Sequence, residues 1–105
     1  MNTDATQQLM RKEILESIES GETFDDIRDR AGELIDSYTP LYNNQVIEEW
    51  QHMPSEYDNK GAAELGHNCK EIDIINLMQA DLYLFYSDLF NEVLDELEEE
   101  ANDAA

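Results

Sequence analysis

Residues 71–100 read E-I-D-I-I-N-L-M-Q-A-D-L-Y-L-F-Y-S-D-L-F-N-E-V-L-D-E-L-E-E-E, and their large apolar residues step by three or four. That spacing places the apolar side chains along one face of an α-helix. The stripe consists of Ile72, Ile75, Met78, Leu82, Phe85, Leu89, Val93 and Leu97. The pattern predicts one helix from about Lys70 to Glu100, roughly 45 Å long at 1.5 Å per residue.

The apolar residues in the first part of the chain also recur at helical spacing. Asp4 can cap a first helix that buries Met10, Ile14 and Ile18, with Leu9 and Leu15 beside them. Gly21 is a natural stop for this helix, since glycine readily takes the left-handed backbone that follows many helix ends.

Two further helices are predicted from capping signals. Thr23 followed by Asp26 resembles a capping box, and it opens a helix whose apolar stripe is Phe24, Ile27, Ala31, Leu34 or Ile35, and Tyr38. Thr39 can cap the next helix, with Pro40 in its first position, and this helix should end before Pro54. Its inward residues would be Tyr42, Val46, Ile47, Trp50 and Met53.

The fold class that follows is all-α, with three short helices packed on one long C-terminal acidic helix. No sustained alternation of strand type occurs along the chain. Residues 54–68 contain Pro54, Gly61 and Gly66 and are interpreted as a loop. At 105 residues, the chain is expected to form a single acidic helical domain over residues 1–105.

The charge balance limits the classes of partner. Asp and Glu number 26 against six Lys and Arg, which gives a net charge of −20. Direct binding of nucleic acid or of an anionic membrane needs cations facing phosphates, so both are excluded. The polar N-terminus lacks a signal-peptide core, and no apolar segment is long enough to span a membrane. The single cysteine forms no internal disulfide, which agrees with a reducing compartment. We therefore expect a cytoplasmic protein.

The candidate metal ligands in the sequence are two Glu-x-x-His pairs and one cysteine. Two Glu-x-x-His pairs, Glu49 with His52 and Glu64 with His67, have the spacing used in di-iron helical bundles. Glutamate is so frequent in this chain that such a pair arises easily by chance, which favours ordinary surface or interface histidines. Cys69 and the two histidines are too few for a structural zinc site. We therefore expect no enzymatic activity, no metal and no cofactor.

The acids of the last segment lack basic neighbours. Residues 71–105 contain eleven Asp and Glu and no Lys or Arg, although exposed helices usually interleave the two signs. Asp81, Asp88 and Asp95 are spaced by seven and would line one edge of the long helix. Duplex DNA carries about one charge per 1.7 Å, so twenty charges correspond to roughly 34 Å, or about ten base pairs. Charge of this density suggests a protein that occupies the basic groove of a DNA-binding enzyme.

Three segments together resemble the phage anti-restriction DNA mimics of the Ocr type. They are F-D-D-I-R-D at residues 24–29, Pro40 with Tyr42 opening a short helix, and the acidic run at residues 79–100. Members of that family are small acidic all-helical homodimers that imitate bent B-form DNA and block type I restriction-modification enzymes without catalysis. The resemblance therefore implies a role in evading host defence, in the cytoplasm of the host cell if the protein is phage-encoded.

The resemblance also assigns candidate residues. The acids that would mimic phosphates are Asp25, Asp26, Asp29, Asp81, Asp88, Glu92, Asp95, Glu96, Glu98 and Glu99. The apolar residues that would form the dimer interface are Val46, Ile47, Trp50 and Phe90.

Two questions stay open at the level of sequence. Ile74, Leu77, Phe90 and Leu94 form a second apolar face on the long helix, which predicts a homodimer unless the short helices cover both faces. The expected function is a non-catalytic inhibitor that mimics DNA in a host restriction-modification or related defence enzyme. The alternative is an acidic helical adaptor that binds a basic protein without imitating duplex shape.

Overall fold

The structure, a computed structural model, describes residues 3–40, 43–54, 57 and 71–104. This part of the chain is helical and contains no strand, which confirms the all-α class. Its helices are α1 (Asp4–Glu19), α2 (Phe24–Asp29), α3 (Ala31–Tyr38), α4 (Asn43–Gln51) and the long α5 (Glu71–Ala104). The long helix continues beyond the predicted end at Glu100.

The chain forms two compact units. The N–C unit comprises Asn2–Tyr38 and Ser87–Ala105, and so contains α1, α2, α3 and the C-terminal half of α5. The middle unit comprises Thr39–Tyr86, with α4 and the N-terminal half of α5. In each unit, a part of the long helix packs against shorter helices.

The stop after α1 and the start of α2 were both predicted correctly. Gly21 has φ +107°, a left-handed conformation that residues with a side chain rarely adopt. The amides of Gly21 and Glu22 donate to the carbonyls of Ile18 and Ser17, each over 3.1 Å, which is a Schellman motif. Thr23 then opens α2 with a complete capping box.

The helix predicted from Phe24 to Tyr38 is broken at Arg30. The backbone of Arg30 (φ −109°, ψ 15°) leaves the helical region and separates α2 from α3. Its guanidinium donates to Ser17 Oγ over 3.0 Å and to the Glu22 carboxylate. We attribute the break to these tertiary contacts, which favour a turn that the apolar spacing alone does not indicate.

The core of the N–C unit is apolar. Its buried side chains are Met10, Ile14, Ile27, Ile35, Leu89, Phe90, Val93, Leu94 and Leu97. The rings of Tyr38 and Phe90 lie 6.4 Å apart, which joins α3 to α5. Full burial of a side chain as large as that of Phe90 stabilises the fold by roughly 1.5–3 kcal/mol. Because Phe90 and Leu94 are fully buried, both apolar faces of α5 are covered here by the chain's own helices.

The middle unit has its own core of Val46, Met53, Ile75, Leu82, Phe85 and Tyr86. The Tyr57 and Phe85 rings meet edge to face at 5.1 Å, and Pro54 follows α4 as predicted. One detail was wrong: Pro40 was predicted in the first helical position, but its backbone is not helical, and α4 is described from Asn43. Apart from Pro54 and Tyr57, the predicted loop at residues 54–68 lies outside the described residues.

Within the described residues, no helix is both long and apolar enough to span a membrane.

Candidate functional site

The ten predicted mimicry acids are distributed unevenly between the two units. Nine lie in the N–C unit, on α2 and on the C-terminal half of α5, and Asp81 lies in the middle unit. Eight of the ten are exposed, namely Asp25, Asp26, Asp29, Asp88, Glu92, Asp95, Glu96 and Glu99. The two exceptions are Asp81 and Glu98, which are partly buried. We call the nine predicted mimicry acids that lie in the N–C unit the acidic surface.

The net charge follows the same division. The N–C unit has eighteen acidic and four basic residues, a net charge of −14. The middle unit has eight acidic and two basic residues, a net charge of −6. The unit that contains the acidic surface therefore carries most of the protein's charge.

Arg28 connects the two helices of the acidic surface. It lies on α2, and its Nη1 contacts Asp25 Oδ1 over 3.5 Å, one turn earlier. Its Nη2 contacts Asp95 Oδ1 over 3.3 Å and also Glu98 Oε2, both on α5. The close ion pair with Glu98 raises the pKa of Arg28 above its ordinary value. One cation thus contacts three of the predicted mimicry acids, and the cluster of four side chains keeps a net negative charge.

A second arginine reaches α5 from α1. Arg11 Nη2 donates to Glu100 Oε2 over 2.5 Å. This hydrogen bond lowers the pKa of Glu100 and raises the pKa of Arg11. The negative charge of Glu96 makes a smaller contribution to the raised pKa of Arg11. The last turns of α5 contain no basic residue, so these arginines provide positive charge from other helices.

Asp26 has a structural role within the acidic surface. The Thr23 amide donates to Asp26 Oδ2 over 3.0 Å, and the Asp26 amide donates to Thr23 Oγ1 over 3.1 Å. The hydrogen bond from the Thr23 backbone amide lowers the pKa of Asp26 most. The Thr23 side chain lowers it further. Asp26 therefore fixes the start of α2, on which Asp25 and Asp29 are exposed.

The predicted interface residues are placed differently from expectation. Val46 and Phe90 have no exposed area, so as placed they offer no surface to a second subunit. Ile47 and Trp50 are partly exposed, and the Trp50 indole Nε1 donates to Asp81 over 3.0 Å. Trp50 and Asp81 thus contact each other inside one chain. The homodimer itself stays a prediction.

The N–C unit also contains a groove of about 320 Å³ that is open to solvent. Three of its polar side chains are bonded to other residues: Glu13 accepts from the Tyr38 hydroxyl over 2.7 Å, and Arg30 donates to Ser17 and to Glu22. Burial, followed by the bond to Glu13, raises the pKa of Tyr38 above its ordinary value. These contacts connect the short helices and position no nucleophile beside a general base.

Glu49 and His52 are the one Glu-x-x-His pair that lies among the described residues. No group of three or more His, Cys, Asp or Glu that could hold a metal occurs in the described part of the chain. His52 is exposed and Glu49 partly buried. Glu64, His67 and Cys69 lie outside the described residues.

Sequence reasoning assigned no role to Arg28, although it stands inside the F-D-D-I-R-D segment. Its pairing with Asp25 at i, i+3 is visible in the sequence. Its contacts with Asp95 and Glu98 join residues about seventy positions apart, and no local pattern reveals them.

Comparison with protein-family models, with curated proteins and with solved structures finds no significant match to this chain.

Proposed function

We propose that this protein is a non-catalytic inhibitor that mimics DNA and occupies the DNA-binding groove of a host defence enzyme, with a type I restriction-modification enzyme as the favoured target. The observation that carries the proposal is the acidic surface itself. Its carboxylates are mostly exposed, they belong to two helices, and Arg28 joins those helices. Acids held on a packed body, rather than on a mobile tail, can present charge at fixed spacing.

The amount of charge fits a short duplex. At about one charge per 1.7 Å of axis, the net charge of −14 on the N–C unit corresponds to roughly 24 Å, or about seven base pairs. A basic groove that binds this surface would release counterions as it does with DNA, and no base needs to be read.

The decisive experiment is competition with DNA. A purified type I restriction-modification enzyme is mixed with a labelled duplex that carries its recognition site, and the protein is titrated in a gel-shift assay. We expect the duplex to be displaced, with an apparent affinity that falls steeply as salt rises. If one complex holds both the duplex and the protein, mimicry is wrong.

A matched pair of variants separates surface position from total charge. Asp25→Asn with Asp29→Asn removes two charges from the acidic surface. Glu33→Gln with Asp36→Asn removes two exposed charges from α3, in the same unit. We expect the α2 variant to compete on the order of tenfold less well and the α3 variant to stay close to wild type, where tenfold equals about 1.4 kcal/mol. Equal losses would mean that only net charge matters.

The alternative is an acidic adaptor for a basic protein. It is favoured by the partial neutralisation of Asp25, Asp95 and Glu98 by Arg28, since a duplex backbone has no such internal cation. An adaptor should bind its partner while DNA remains bound at a separate site, which the same gel-shift experiment detects.

A further inference from the structure

Arg28 occupies an unusual position for a basic residue in this protein. Its guanidinium contacts one acid on α2 and two on α5, and all three belong to the acidic surface. An inhibitor that works by negative charge alone would gain from losing this cation. The chain instead places it in the middle of its most acidic region.

The geometry indicates what the cation does there. Like charges on two adjacent helices repel one another, and a cation between them reverses the sign of the nearest interactions. Nη1 contacts the α2 carboxylate while Nη2 contacts the two α5 carboxylates, so the two terminal nitrogens of the guanidinium are directed at different helices. A planar guanidinium offers several donors in fixed directions, whereas a lysine ammonium is a point charge on a flexible chain.

We infer that Arg28 is a positioning residue of the acidic surface: it fixes the spacing between the acids of α2 and those of the last turns of α5, and thereby the pattern of negative charge that a basic groove encounters. This inference rests on the proposed function for its consequence in binding. Its structural part, the fixing of α5 against α2, is independent of any partner.

The charge of the variants provides the test. Arg28→Lys leaves the net charge at −20, and Arg28→Gln makes it −21. Lys12 is an exposed basic residue on α1, so Lys12→Arg and Lys12→Gln are controls with the same changes in net charge, although Lys12→Arg exchanges the two residue types in the reverse direction. If charge alone decides binding, both glutamine variants should bind a basic groove at least as tightly as wild type.

The first measurement needs no partner. Amide hydrogen exchange is followed in the free protein, with circular dichroism to verify that each variant keeps its helices. We expect exchange in residues 95–104 to be about fivefold faster or more in both Arg28 variants, and unchanged around Met10 and Ile14 in α1. Exchange equal to that of the Lys12 controls would overturn the inference, and Arg28→Lys keeps this arm informative if Arg28→Gln unfolds.

The second measurement is the DNA competition assay with the type I enzyme. We expect both Arg28 variants to compete on the order of tenfold less well than their Lys12 controls, with the glutamine variant weaker despite its greater negative charge. If wild type displaces DNA and the Arg28 variants match their controls, the positioning role is wrong and the proposed function stands. If wild type fails to displace DNA, the proposed function is wrong and the exchange data alone decide the role of Arg28.

Discussion

The indole Nε1 of Trp50 donates a hydrogen bond to the Asp81 carboxylate over 3.0 Å and joins α4 to α5 within the middle unit. A double-mutant cycle can measure this bond, because Trp50→Phe removes the donor and Asp81→Ala removes the acceptor. We expect a coupling of about 1 kcal/mol in the free energy of unfolding by urea. Additive effects, with coupling near zero, would mean that the bond contributes nothing to stability.

The capping box of α2 offers a second test. Thr23→Ala removes the hydroxyl that accepts from the Asp26 amide and should lower the free energy of unfolding by about 1 kcal/mol. Thr3→Ala is the control, since Thr3 occupies the same position at α1 but makes no side-chain capping bond. Thermal or urea unfolding of both variants decides the matter, and a comparable loss in both would contradict a specific capping role.

Alkaline pH should destabilise the protein through Tyr38. Burial and the bond to Glu13 raise its pKa in the folded state above the ordinary value of 10.0. The neutral hydroxyl therefore makes its full contribution to the free energy of unfolding below the ordinary pKa. This contribution is lost as the pH rises through the higher pKa of the folded state. We expect wild type to lose more stability than Tyr38→Phe as the pH rises above about 10.

The Tyr38 prediction has its own control. Glu13→Gln removes the anion that disfavours ionisation of the hydroxyl, so the pKa of Tyr38 should fall in this variant, as measured by tyrosinate absorbance. Identical pH profiles for wild type and Tyr38→Phe would show that this hydroxyl is not the group responsible.

Salt should stabilise the fold. Acids outnumber basic residues by 26 to six, so screening weakens more repulsive pairs than attractive ones. The Debye length falls from about 10 Å at 0.1 M to about 3 Å at 1 M salt. Each kcal/mol of relieved repulsion should raise the melting temperature by about 4–8 °C. A melting temperature that falls with added sodium chloride would show that pairs such as Arg11 with Glu100 outweigh the repulsion.

Much of the local structure could be predicted because its causes are local. Gly21 ends α1 through its own backbone conformation, and Thr23 and Asp26 cap α2 through contacts three residues apart. The apolar stripe of α5, from Ile75 to Leu97, faces the core as its period predicts. These features need only neighbours within a turn or two.

The remaining features depend on distant residues. The turn at Arg30 is held by Ser17 and Glu22, and the basic partners of the α5 acids come from α1 and α2. The last 35 residues lack basic neighbours only in sequence, since in space Arg11 and Arg28 lie beside them. Spacing along a helix says nothing about which other helix is near, so these pairs were not foreseen.

The division of α5 between two units has a consequence for how the protein folds. The middle unit is continuous in sequence, whereas the N–C unit must bring together two segments, Asn2–Tyr38 and Ser87–Ala105, that are separated by 48 residues, which carries a larger loop-closure entropy. A helix already nucleated before Tyr86 can extend past Ser87 by one hydrogen bond at a time. Pulse-labelling hydrogen exchange should therefore find Asn43–Gln51 and residues 74–86 protected before α1, so that the acidic surface is the last part of the molecule to assemble.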